Sequence, residues 1–451
     1  MNTRRRSTEQ AKLAAGRTVA AVGADVVALS HRIHANPELA FAEVKASRWV
    51  GEALAAGGFS VEAGVAGLST ALVATAGTGA LNVGICAEYD ALPDMGHACG
   101  HNIIAAAAVA AGLALSPLAD QLGITVKVFG TPAEESGGGK ILMLERGAFD
   151  GVQAAMMIHP APRERVDPPT LAISHLDVEY LGRPAHASMA PEKGINAADA
   201  LTVAQVAIGL LRQHIRPDHR IHGIVTHGGD AANIVPGRTT ARYGIRARTL
   251  AEVTKLRPRL EHCFEAGALA TGCSLRLNEP FPAYSEFRHD EQLASLYVQN
   301  AEALGRRFPQ FPPDDLSMMA STDMANVSLA LPTIQPLMAI ECRDAVNHQP
   351  EFAAWCARPS ADRAALDGGL AMARTVSTWR RRTDGDFLRW FRTPSGRSTR
   401  QTAAFGSPAA LLRANTAEVQ WAGASPAGMR VNQDGSQLGG RQSEHQILDS
   451  Q

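Results

Sequence analysis

Four short segments carry side chains that bind metals or move protons. The first is Gly96-His97-Ala98-Cys99-Gly100-His101-Asn102. It falls between a predicted strand and an Ala-rich predicted helix. A thiol and an imidazole two residues apart at such a turn can face one transition metal, for which both are usual ligands. A buried Cys and a helix-capping His would leave the same trace. The second is Thr131-Pro132-Ala133-Glu134-Glu135-Ser136 and the glycines after it. It follows a run of β-branched residues, at the strand end where α/β sheets place their sites. Two adjacent carboxylates repel unless cations lie close, so one can bind metal while the other holds a proton. Acidic residues in a solvated first helical turn are the plainer reading. His159-Pro160 closes an apolar strand, and Asn347-His348-Gln349-Pro350 follows another. Either His alone is better read as a satisfied core or loop residue. Together, Cys99, His101, a glutamate of the pair, His159 and His348 have the composition of a two-metal site with one further Glu beside it.

The elements that would position these residues follow from periodicity. Helices are predicted over 18–34 and 38–56, and strands near 59–63, 70–74 and 81–87. A buried helix over 103–115, a strand over 124–129, a helix over 137–146 and a strand over 154–158 complete an alternating α/β pattern with a mainly parallel sheet. From 171 to 277 the order becomes strand, helix, two strands, helix, strand, which is the ferredoxin-like split motif. The α/β pattern resumes with a helix over 290–304, a strand over 333–340 and a helix over 361–376. The expected organisation is a catalytic part over 1–170 and 285–378, an inserted part over 171–284, and a tail over 379–451. That tail, rich in Arg, Ser, Gly, Gln and Thr, reads as disordered or as a non-native reading frame.

Composition narrows the function classes. A net charge of −1 favours neither nucleic acid nor an anionic membrane. The six Cys are scattered through 451 residues and form no disulfide framework, which suits a reducing compartment. Arg4, Arg5 and Arg6 could mimic the start of a signal peptide, but Lys12, Arg17 and Asp25 interrupt the apolar stretch behind them. No unbroken run of 18 apolar residues marks a membrane span. The expectation is a cytoplasmic enzyme with no nucleic-acid or membrane partner.

Further motifs accompany the metal-binding segments: His34-Ala35-Asn36-Pro37-Glu38, Ala87-Glu88-Tyr89-Asp90-Ala91-Leu92-Pro93, Gly182-Arg183-Pro184-Ala185-His186-Ala187, Asn233-Ile234-Val235-Pro236 and Ser321-Thr322-Asp323-Met324. Over residues 25–378 this combination resembles metallopeptidase family twenty, which includes aminoacylases, carboxypeptidase G, indole-acetyl-amino-acid hydrolases and aminobenzoyl-glutamate hydrolase. Asn102, where many of these have Asp, is similar to the aminobenzoyl-glutamate hydrolase and aminoacylase-one-like dipeptidase subgroup. Ala325 stands where relatives usually have Gly.

The resemblance implies a two-metal exopeptidase-like catalytic domain with an inserted α+β lid and dimerisation domain. It implies Cys99, His101, Glu135, His159 and His348 as ligands of two divalent ions, Zn or Mn, with Co or Ni as alternatives. Glu134 would be the general base and Asp90 a carboxylate that orients a ligand. His186 would support the oxyanion in the partner subunit's site, and Asn233 and Arg246 would hold the substrate. The implied reaction is hydrolysis of the amide bond of small N-acyl amino acids, aminobenzoyl-glutamate-like compounds or dipeptides, by a homodimer joined through the lid. A catalytically inactive relative serving as a binding protein is the alternative, and the intact Glu134 and ligand set argue against it.

Overall fold

A computed structural model describes residues 2–312 and 319–382. From 383 onward the expected tail lies outside the described residues. The chain runs through α1 (Asn2–His34), α2 (Val44–Ala56), β1 (Ser60–Ala63), β2 (Leu72–Ala76), β3 (Leu81–Glu88), α3 (His101–Leu115), α4 (Ala119–Leu122) and β4 (Ile124–Thr131). It continues with α5 (Gly139–Glu145), β5 (Ala154–Met156), β6 (His159–Ala161), β7 (Ala172–Leu181), α6 (Ala197–Arg212), β8 (Arg220–His227), β9 (Arg238–Ala247), α7 (Leu250–Thr271) and β10 (Ser274–Asn278). The remainder is α8 (Glu291–Glu302), α9 (Met324–Ala330), β11 (Thr333–Ile334), β12 (Leu337–Ala339), α10 (Pro350–Trp355) and α11 (Pro359–Arg382).

The main sheet has the order β1-β2-β4-β3-β5-β11. Its β4, β3, β5 and β11 are parallel, and β1 and β2 add an antiparallel edge. Helix α3 packs against β3 and β4, with α1 and α11 on its other side. Its alanines permit that approach, because a Cβ at Gly369 of α11 would lie 2.7 Å from the Ala107 carbonyl oxygen. The expected split motif is observed as β7-α6-β8-β9-α7-β10. Its sheet has the order β10-β7-β9-β8, with every neighbouring pair antiparallel. Tyr180, Leu201, Leu260 and Phe264 sit in its separate core.

Several boundaries differ from expectation, each for a physical reason. Helix α1 begins at Asn2, well before 18, because Ala11, Ala15 and Val19 continue a buried stripe at i, i+4 spacing. Helix α2 begins at Val44 and not near 38. The Glu38 carboxylate instead accepts from the Lys45 and Ala46 N–H groups at 2.8 and 3.0 Å, so it caps the helix from outside. The strand expected over 333–340 is two strands. Pro336 cannot donate to a ladder, so the chain steps from β11 in the main sheet to β12, which pairs with β6. The strand expected over 154–158 makes the same step after Met156, and His159 N–H donates to the Pro336 carbonyl at 3.0 Å across it.

Although neither contains an unbroken run of 18 apolar residues, Ser7–His34 and His101–Leu122 are long and apolar enough on average to cross a membrane. The second is mostly buried as the core helix.

Candidate metal centre and active site

The site lies at the C-terminal ends of the parallel strands. Strand β3 ends in Glu88, and Tyr89 leads on to Asp90; β4 runs out into Glu134 and Glu135; the step between β5 and β6 presents His159. Cys99 and His101 reach the same place from the turn into α3. That turn needs Gly100, whose φ is +76° and whose Cβ would lie 2.4 Å from Pro160. The His348 loop is tied down by His348 N–H donating to the Ala98 carbonyl at 2.9 Å and by Asn347 Nδ2 donating to the Pro160 carbonyl at 3.1 Å.

The donors form overlapping groups. Those of Cys99, His101 and His159 lie within 4.8 Å of one another, as do those of Cys99, Glu135 and His348. Each buried imidazole has its second nitrogen occupied elsewhere. His101 Nδ1 meets Asp90 Oδ1 at 3.0 Å, and His159 Nδ1 meets the Pro160 carbonyl at 2.9 Å. With Nδ1–H donating outward, Nε2 keeps a lone pair for a metal. His101 Nε2 is buried without a hydrogen-bond partner, and Glu135 Oε1 faces His348 Nε2 at 3.4 Å, as expected of atoms arranged about a cation. The mixed N, O and S donor set therefore fits divalent metal ions.

The electrostatics are those of a cation site. Burial and the nearby Glu88, Glu135 and Asp323 carboxylates push Glu134 well above the usual carboxylate range. Glu135 moves the other way: burial opposes its charge, but the His348 hydrogen bond and the His101 charge hold it below its ordinary value. Burial also disfavours charge on His101, yet Asp90 and Cys99 raise it well above the normal imidazole. Desolvation drives the Cys99 thiol well up, helped by Glu135. So many carboxylates in one buried pocket are tolerable only with compensating cations.

One such cation was not singled out from the sequence. Lys140 is fully buried, with Nζ 2.5 Å from Glu88 Oε1 and 2.7 Å from Asp323 Oδ1. Glu88 in turn places Oε2 3.4 Å from His101 Nε2. The available signal was the i, i+2 spacing of Glu88 and Asp90 at a strand end, which directs both toward one place. Nothing local marked Lys140. Asn102 is also explained: its Nδ2 donates to Ser30 Oγ and to the Cys356 carbonyl, both at 2.9 Å. An ionised Asp could donate to neither.

The expected residues of the inserted part are placed differently. His186 and Asn233 lie beside each other, with Ala187 N–H donating to the Asn233 carbonyl at 3.0 Å, and both are exposed. Among the described residues, no hydrogen bond or ion pair joins them to the metal-ligand cluster. Arg246 on β9 does reach the catalytic part, donating through Nη1 to Ser321 Oγ at 2.8 Å, and its Nε meets His222 Nε2 at 3.1 Å.

The fold and donor set define a metal-dependent hydrolase. Residues 84–361 match the family described as Peptidase family M20/M25/M40, and the chain belongs to that family. It is 37% identical over 364 residues to the Xaa-Arg dipeptidase of Mus musculus, covering 77% of this chain and 84% of that protein. It is 32% identical over 264 residues to a p-aminobenzoyl-glutamate hydrolase polypeptide of Escherichia coli, covering 54% and 55% of the two chains. The fold is similar to the crystal structure of an aminobenzoyl-glutamate utilization protein from Klebsiella pneumoniae, with a TM-score of 0.61 at 19% identity over 78% of this chain and 97% of that one. A dinuclear metal binding peptidase of the M20 family from Bacillus subtilis gives a TM-score of 0.59 at 19% identity over 80% and 98%.

Proposed function

We propose that the protein hydrolyses the amide bond of a small substrate with a free carboxylate, either an N-acyl amino acid, an aminobenzoyl-glutamate-like compound or a dipeptide. The supporting observation is the convergence of Cys99, His101, Glu135, His159 and His348 around one point, with Glu134 beside them. Those five residues would hold two divalent ions, Zn or Mn, with Co or Ni as alternatives. When bound, the ions supply charge stabilisation at the carbonyl oxygen and make water a better nucleophile. Glu134 takes a proton from the attacking water and delivers it to the departing nitrogen. Asp90 keeps the His101 ring oriented through Nδ1. Arg246 offers a guanidinium for the substrate carboxylate, and Asn233 assists in holding the substrate.

His186 completes the site by donating to the developing oxyanion from the partner subunit of a homodimer, with the inserted domain as lid and dimer surface. Exposed Val206 and Leu210 on α6 and Ile224 and Val225 on the edge strand β8 support that surface. The enzyme would work in the cytoplasm, consistent with its six free cysteines.

The test is a hydrolysis screen of N-acyl amino acids, aminobenzoyl-glutamate and dipeptides with added Zn²⁺, Mn²⁺ or Co²⁺, beside elemental analysis of Cys99→Ala and His348→Ala. Metal-dependent turnover and lowered metal content in both variants are expected. Full metal content in both would show the ligands to be wrongly chosen.

A further inference from the structure

Glu134 sits in an unusual stretch of backbone. Ala133, just before it, has φ +59°, a left-handed conformation that a non-glycine residue adopts only when its surroundings impose it. Three side chains from distant parts of the chain grip this turn. Glu43 Oε1 accepts from Ala133 N–H at 2.8 Å, and Asp90 Oδ2 accepts from Glu135 N–H at 3.0 Å. Between them, the Tyr284 hydroxyl donates to the Glu134 carbonyl at 2.6 Å.

Tyr284 is held as firmly as it holds. It lies where the chain returns from the inserted part, and its backbone N–H and C=O are both paired with Ile173, at the chain's entry into that part, at 2.9 Å each. The Asn326 side chain brackets it, accepting from Ser285 N–H at 2.9 Å and donating to the Ala283 carbonyl at 3.2 Å. The ring is buried against Ile141 and Ile173. Burial, with Asp323 and Glu134 nearby, keeps the phenol protonated and hence a donor.

We propose that Tyr284 is a positioning residue that ties the crossover between the two parts of the chain to the backbone of the catalytic base. This rests on the reading of Glu134 as that base. Among the described residues, the hydroxyl makes no hydrogen bond to a proposed ligand side chain; it holds the carbonyl of the peptide between Glu134 and Glu135. It sets where the Glu134 carboxylate points, and a misplacement of about 1 Å at a reacting group can cost up to about 10²-fold in rate.

The experiment compares wild type, Tyr284→Phe and Glu134→Gln, each loaded with the metal that supports turnover. Tyr284→Phe keeps the ring and removes only the hydroxyl, with its hydrogen bonds to the Glu134 carbonyl and the Gly137 backbone. The expected result is a fall in kcat of about 10-fold to 10²-fold, with KM within twofold of wild type, unchanged metal content, and a Tm lowered no more than the loss of one buried hydrogen bond implies. The solvent deuterium isotope effect on kcat should rise, because proton transfer through Glu134 becomes slower; a role confined to packing would not change it. A kcat within twofold of wild type overturns the inference, as does a loss matched by lost metal or by partial unfolding. Glu134→Gln separates the two readings: if it stays active the base is misassigned, whereas if it is inactive and Tyr284→Phe is fully active only the role of Tyr284 fails.

Discussion

The strand ends of the main sheet and the exposed face of the inserted part contribute to the proposed site in opposite ways. At the strand ends the functional groups are buried and held from several directions. Asp90 is 1% exposed and binds both His101 and the Glu135 N–H, while Lys140, Glu88 and Asp323 form a closed charged network. On the inserted part, His186 and Asn233 are exposed, and apolar residues of the same part lack cover: Met189 is 79% exposed and Leu210 68%. The first region is preorganised within one chain, as electrostatic catalysis requires. The second has the character of a surface awaiting another surface.

The largest effect belongs to the buried region. Glu134→Gln should retain both metals and the fold yet lose about 10²–10⁴-fold in kcat from the base step alone, with its later role as acid adding to this. Steady-state kinetics with parallel elemental analysis checks it, and activity within tenfold of wild type would remove Glu134 from the mechanism.

Lys140→Met tests whether the strand-end network is integral to folding. It leaves Glu88 and Asp323 buried and uncompensated, and breaking such a pair costs about 3–5 kcal/mol. Burial, with the Glu88 carboxylate nearby, already pushes Asp323 up to about 6 against the pull of Lys140. Denaturant unfolding should show the loss, and a change below about 1 kcal/mol would mean the network is not structurally integral.

The exposed region is probed by His186→Ala, for which a barrier increase of about 2.7–4 kcal/mol is expected, the scale of one oxyanion donor. Mixing it with Glu134→Gln subunits sharpens the contrast. In the proposed homodimer, random exchange of equal amounts would make about half the dimers mixed, each with one intact site, so roughly a quarter of wild-type activity should return. No recovery despite demonstrated exchange would confine His186 to its own chain.

The smallest effect is expected at the start of α2. Glu38→Ala removes the carboxylate that caps α2 and should cost about 0.5–2 kcal/mol without changing kcat; a thermal melt with an activity assay reads both.

Much of the candidate site was legible because its proposed ligands sit at or beside strand ends that local patterning marks. The His-Ala-Cys-Gly-His turn, the Glu pair after a β-branched run and a His closing an apolar strand each announce themselves within a few residues. The split-motif order of the inserted part was equally readable from alternating periodicity. The failures came where a distant partner overrides local preference. Glu38 reads as helical until its carboxylate is seen capping the next helix. The apolar run over 333–340 reads as one strand although Pro336 divides it between two sheets.

The sequence by itself therefore determined the donor types, their chain order and the α/β framework, because these depend on residue chemistry and on periods of two and 3.6 residues. Only the tertiary structure decided what surrounds the base. Glu43, Asp90, Lys140, Tyr284 and Asp323 come from five separate segments. Glu43, Asp90 and Tyr284 hold the Glu134 turn while Lys140 pairs with Glu88 and Asp323, and no local pattern encodes contacts made across 45 to 183 residues.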